Sequence, residues 1–239
     1  MILFGAFGFG YSGQWFIEIF AVAIAVVISI VLHELAHGYV ALLNGDPTAK
    51  LAGRLTLNPV KHFDLTGFLM LMLVGFGYAK PVPINPYNFK RRRPGILTVS
   101  LAGVTVNFLL AFCSMPLYIL TVRYIDTNVF LKGVNFVLRY LLAVNVSLML
   151  FNLLPLFPLD GYRVVEGLTR VTNPVTKFLR NYGRYILLAA FVLHLMVNFL
   201  TGYFPNAGWL GYFDPLGLYI DGVGGWILTG FDWVWGFLW

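Results

Sequence analysis

Charge is scarce in this chain. Lys, Arg, Asp and Glu make up 11% of 239 residues and hydrophobic residues 59%, whereas an ordinary soluble domain carries about 25% charged residues. No polar block is long enough to fold as a separate soluble domain. The chain therefore reads as one membrane-embedded unit over 1–239, with a core from 16 to 200 and an aromatic, interfacial or re-entrant tail from 201 to 239. Cysteine is almost missing: Cys113 alone cannot close an internal disulfide, and within an apolar run it is expected to be a small core residue. Residues 1–15 carry no charge and hence no basic n-region, so the run from Phe16 is expected to be a retained span rather than a cleaved signal. Lys and Arg are absent after Arg184. The net charge of +6 does not point to nucleic acid, because the basic residues sit in short loops beside apolar runs, where they set orientation in a bilayer.

What is present is a series of long apolar runs. Spans are expected at 16–43, from 96 to about 120, at 133–157 and at 185–200. Asn44-Gly45-Asp46-Pro47 is a turn sequence that ends the first, and Pro155 and Pro158 break the third. A basic, helix-compatible connector runs from Tyr162 to Arg180. The stretch 65–79 is short for a span and contains Gly67, Gly75 and Gly77. If it does not cross, residues 38–95 place eight Lys/Arg on one side and 160–184 add five, against three elsewhere. The positive-inside rule then puts that side in the cytoplasm. A crossing would abolish the bias, so a re-entrant segment is expected, covered by protein or lining a wet cavity. The predicted fold class is a polytopic α-helical membrane protein with four to six transmembrane helices and a re-entrant, β-like, membrane-embedded segment.

Within the first run lies His33-Glu34-Leu35-Ala36-His37. Residues i and i+4 share a helix face one turn apart, so both imidazoles can reach one metal ion with Glu34 beside it. Counting back from Leu43 puts His37 about 9 Å and His33 about 15 Å below the helix end. Ionisable groups at such depth are costly and point to function, the alternative being two histidines that only hydrogen-bond within a core. A catalytic zinc site needs a third protein ligand. Of the remaining acidic residues, only Asp160 follows directly from a span at the depth and side of the histidines. It also suits the cap of a helix beginning near Tyr162, so both roles stand on the residues alone.

His33-Glu-Leu-Ala-His37, the stretch Ala102-Gly103-Val104-Thr105-Val106-Asn107, and Asn152-Leu-Leu-Pro155-Leu-Phe-Pro-Leu-Asp160-Gly161 together resemble the signature elements of the site-2 proteases, which are zinc-dependent intramembrane metalloproteases. The resemblance covers residues 20 to 170. Asn44-Gly-Asp-Pro, Gly53-Arg-Leu-Thr-Leu-Asn-Pro59 and Ala79-Lys-Pro-Val-Pro83 are further similar to the short prokaryotic branch without PDZ or CBS domains. Val104 departs from the family's usual proline. The resemblance implies His33, His37 and Asp160 as Zn2+ ligands, Glu34 as catalytic base, Asn152 as a substrate or oxyanion contact, and a β-like segment after the first motif helix. In that chemistry zinc lowers the pKa of a water to about 7 and Glu34 relays its proton.

Other residues carry weaker expectations. Asn145 lies seven residues before Asn152, on the same helix face, and either faces substrate or bonds between helices. Asn107 is expected to serve helix packing. His62 is expected at the surface or ordering its loop, and His194 as a hydrogen-bonded core residue. Gly75, Gly77 and Pro81 are expected to bind substrate, in a stretch that gates entry and offers a strand edge. The expected function is cleavage of transmembrane segments near the cytoplasmic face of the cell (inner) membrane. Its partners are a membrane-protein or peptide substrate and the lipid bilayer, and a homo-oligomer is compatible with this reading. The rivals are a catalytically silent metal-binding scaffold and a transporter, whose expected inverted repeat is absent.

Overall fold

A computed structural model describes residues 15–64, 66–67, 80–122, 128–169 and 173–238. The described chain is helical: α1 spans Trp15–Leu43, α2 Thr48–Leu51, α3 Arg92–Val122, α4 Val129–Leu153, α5 Asp160–Leu168, α6 Pro174–Tyr203 and α7 Pro215–Trp235. Four of these, α1, α3, α4 and α6, are long and apolar enough to cross a membrane. They coincide with the four expected spans, with shifted ends. α4 stops at Leu153 rather than 157, because Leu154 precedes Pro155 and is already extended at ψ 131°. α6 begins at Pro174 and takes in the last seven residues of the expected connector. Asn173 caps it by accepting from the Val175 N–H, and Pro174 supplies a first-turn φ with no donor to lose.

α1, α3 and α4 pack against one another. Ala21, Val22, Ala25 and Val26 of α1 meet Phe136, Tyr140 and Val144 of α4. Lipid is as apolar as these side chains, so small residues that allow close approach decide which faces meet. One polar tie crosses the seam, where the Asn145 amide donates to Ser29 Oγ at 2.7 Å. Such bonds contribute roughly 0.6 kcal/mol each in a membrane, so they fix register more than they stabilise. On the other side, Val104, Ala111, Met115 and Ile119 of α3 pack with Val146, Met149 and Leu150 of α4 and Phe231 of α7. α3 runs unbroken through Val104.

In the tail, α7 packs onto α3 and α4 through Phe231, leaving Trp226 and Trp233 exposed. Cys113 is exposed on α3 rather than in the core. Its neighbours Leu109 and Leu117 are exposed too, forming an outward apolar face suited to lipid.

Beyond the end of α1, the two polar stretches before and after residues 65–79 knit into one cap around Asp46. That buried carboxylate accepts from the Thr48 N–H (3.1 Å) and hydroxyl, the Asn85 N–H (2.7 Å) and the Asn88 amide (2.8 Å). The expected re-entrant segment, with Gly75 and Gly77, lies outside the described residues apart from 66–67. Its flanks are joined, since the Lys80 N–H donates to the His62 carbonyl at 2.9 Å and the Arg54 guanidinium to the Lys80 carbonyl. Residues 62 and 80 therefore lie at one level.

Burial alone would raise the Asp46 carboxyl, but the bonds from Thr48, Asn88 and the Asn85 N–H outweigh it and hold its pKa below the ordinary value. A depressed carboxylate contributes stability that is fully present above its unfolded pKa of about 3.9 and is lost as pH falls through the lower folded value. Asp46→Ala, which leaves several donors unpaired, is expected to cost about 1–3 kcal/mol. Thermal unfolding in detergent should show that deficit as constant from pH 8 to 5 and narrowing below about pH 4. Cysteines at positions 50 and 90 should react with an impermeant label from the same side of the membrane. Labelling from opposite sides would contradict the joined flanks.

Candidate metal centre

The site is built where α1, α3 and the start of α5 meet. His33 and His37 are buried on one face of α1, with their Nε2 atoms 3.0 Å apart. Asp160 Oδ2 lies 3.3 Å from His33 Nε2 and 3.1 Å from His37 Nε2. Asp160 is the first residue of α5, set there by the break at Pro155 and the tight return of the chain. The helix start reaches the end of α4 because residue 161 is glycine. A Cβ at that position would collide with the carbonyl oxygens of Leu153 and Leu154.

The far side of each ring fixes its tautomer. The Val99 carbonyl can only accept, so His37 Nδ1 donates in their 2.7 Å bond, and in the neutral ring that tautomer leaves the Nε2 lone pair for a metal. His33 Nδ1 donates likewise to Asn107 Oδ1 at 2.9 Å. With both rings neutral, two lone pairs and a carboxylate oxygen thus face one another. Asp160 Oδ2 is buried and receives no hydrogen bond. Such an arrangement is repulsive unless a cation sits at its centre. Tetrahedral ligation at 2.0–2.1 Å sets ligand atoms roughly 3.3 Å apart, close to the spacings found, so the residues present fit a zinc ion. Ligands held through their second nitrogen by α3 are the usual support of such a site.

The α3 wall is closely fitted. A Cβ at Gly103 would lie 2.5 Å from His33 Cε1 and 2.6 Å from His37 Nε2. Glu34 stands beside the histidines, one oxygen accepting from the Val82 N–H at 2.9 Å. Val82 is the donor left in Pro81-Val82-Pro83, since both flanking prolines lack an N–H.

The other expected residues are placed as follows. Asn152 is half-buried and donates one amide N–H to Leu148 O, 3.0 Å away in its own helix. Asn145 takes the interhelical alternative through Ser29. Pro81 is exposed, next to Val82. Asn107 is corrected from a packing residue to the partner of His33; its seat four residues, one turn, after Gly103 was the available signal. His62 is not at the surface: fully buried, it orders its loop by donating to Thr56 O at 2.7 Å. His194 is a hydrogen-bonded core residue, with Nδ1 2.6 Å from Asp214 Oδ2 and Nε2 3.0 Å from the Asn198 amide. Sequence reading did not find its carboxylate, which comes from the tail 20 residues on.

Gly103→Ala should displace a histidine ring and lower bound zinc, and Asn107→Ala should weaken metal affinity by about 10- to 100-fold. Metal analysis after dialysis against graded chelator measures both. Unchanged occupancy in both variants would show that the α3 wall does not position the ligands.

Known proteins give an independent view. The family model for peptidase family M50 matches residues 113–196. A Bacillus subtilis protein named "Putative zinc metalloprotease YwhC" is 42% identical over 176 residues, covering 72% of this chain and 80% of the relative. A Mycolicibacterium smegmatis protein named "Putative zinc metalloprotease Rip2" is 30% identical over 220 residues, covering 88% of this chain and 80% of the relative. The zinc metalloprotease MJ0392 of Methanocaldococcus jannaschii is 26% identical over 177 residues, 72% of this chain but 42% of that protein. No solved structure gives a significant match. With the histidine pair, the facing aspartate and these relatives together, the chain belongs to peptidase family M50, the site-2 protease family of metalloproteases.

Proposed function

We propose that this metalloprotease is a zinc-dependent endopeptidase of the cell membrane that cleaves transmembrane segments of other proteins near their cytoplasmic ends. The observation that carries the reading is the convergence of His33, His37 and Asp160 on one point, with both histidines one to three turns inside the end of a membrane-spanning helix. A hydrolytic centre at that depth is of use only for a peptide bond that lies at the same depth. The loop charges described above support a cytoplasmic orientation.

His33, His37 and Asp160 are the residues that would hold zinc, which when bound supplies Lewis acidity for the scissile carbonyl and lowers the pKa of a water to about 7. Glu34 is the base. Its one carboxylate oxygen is pinned by the Val82 N–H, which leaves the other to take a proton from the attacking water. As the C–O bond forms and the C–N bond breaks, the same oxygen returns that proton to the leaving nitrogen, so one carboxylate serves both halves of the reaction. Asn152 has two amide protons and spends one on Leu148 O. The second is the proposed donor to the developing oxyanion. The run from Lys80 to Pro83 passes beside Glu34, and its prolines leave carbonyls without competing N–H groups, so a substrate unwound to an extended form can pair there. Pro81, with Gly75 and Gly77 in the preceding segment, belongs to this proposed entry.

Glu34→Gln tests the reading. In nanodiscs with a single-span substrate, the variant should keep its zinc and lose at least about 100-fold in cleavage. Cleavage at the wild-type rate would remove Glu34 from the mechanism and favour a metal kept only for stability.

A further inference from the structure

Next to the metal centre, on the side of α3 that carries Val99, lies a cavity of about 770 Å³ whose wall holds Arg92 and Arg93 from the start of α3, Arg163 from α5 and Arg180 from α6. Among the described residues Glu166 is the one carboxylate lining it. Among the described residues no carboxylate pairs with any of the four guanidinium groups. Arg92 lies over the Tyr87 ring, 4.8 Å from its centroid, and Ile96 and Val99 give the cavity an apolar floor. The basic run Lys90 to Arg93 by itself is a determinant of orientation. Arg163 and Arg180 are not part of that run, and the fold brings them to it from 70 to 90 residues away. Four like charges facing one space repel one another unless an anion joins them. All four are arginine rather than lysine, and the guanidinium fork matches phosphate oxygens two at a time.

We propose that this cavity binds a phosphate-bearing ligand, held by Arg163 and Arg180 together with Arg92 and Arg93. It sits at the cytoplasmic ends of α3 and α6, at the level where anionic phospholipid headgroups lie. The phosphate of such a lipid and a free phosphate group share the chemistry that the site recognises. A bound ligand joins the first turn of α3 and the second turn of α6 to α5. α5 begins with Asp160, and the carbonyl of Val99 holds His37.

Native mass spectrometry of the full-length protein in detergent, titrated with phosphatidylglycerol or with phosphatidylcholine, tests the lipid source. Calorimetric titration with inorganic phosphate tests the soluble one. Both readouts are independent of proteolysis, so a failure here leaves the proposed activity untouched. Arg163→Gln/Arg180→Gln should weaken binding of the preferred probe by about tenfold or more. Lys50→Gln/Lys61→Gln removes the same charge from the same side of the membrane, outside the cavity, and should leave binding unchanged. Phosphatidylglycerol binding that follows this pattern identifies a lipid site, and phosphate binding that follows it identifies a soluble one. Absence of binding by either probe, or equal losses in the arginine and lysine variants, would overturn the proposal.

Discussion

The Nε2 atoms of two imidazoles and one carboxylate oxygen are held within about 3 Å of one another inside a membrane-spanning bundle. Keeping electron-rich groups in this relation is unfavourable without a cation, and much of the surrounding structure resists their separation. The Val99 carbonyl and the Asn107 side chain commit the proton of each ring to its outer nitrogen. Gly103 lets α3 lie against both rings, and Gly161 lets α5 start hard against the end of α4 so that its first side chain points at them. The helix pair α3–α4 is therefore the frame of the site as well as of the bundle.

The polar cap has a different task. It closes the C-terminal end of α1 and ties together the flanks of the stretch 65–79 through Asp46, His62, Arg54 and Lys80. Val82, just past that junction, donates its N–H to Glu34. The proposed catalytic base and the proposed path of substrate thus share one short run of chain, and movement of that run would be felt at the carboxylate. A base steadied by the element that receives substrate is a plain means of coupling entry to chemistry.

Legibility varied with the kind of signal. The four spans were readable because a bilayer demands about 20 apolar residues in succession, and only their ends moved, at Leu154 and Pro174, where proline and capping rules act locally. His33, Glu34 and His37 were readable because a helix repeats every 3.6 residues. Asp160 stood between ligand and cap on its own residues, and only its Oδ2, unpaired and facing both histidines, separates the two. Asn107 was assigned to packing because nothing in its own helix shows which ring lies opposite. His194 lacked a visible partner for the same reason, since Asp214 caps another helix. The exposure of Cys113 is not legible locally, because apolar runs look alike whether they face lipid or protein.

The sequence by itself determined that this is a membrane protein with a histidine pair and a glutamate on one face of a spanning helix, since composition and helical periodicity act over a few turns. Tertiary structure decided which carboxylate meets the histidines, which groups orient them, that Glu34 is held by Val82, and that arginines from three helices share one cavity. Those relations join residues 48 to 127 positions apart, and no local periodicity carries across such distances. They follow from which helix faces pack, which small residues permit, and from where the chain is forced to turn.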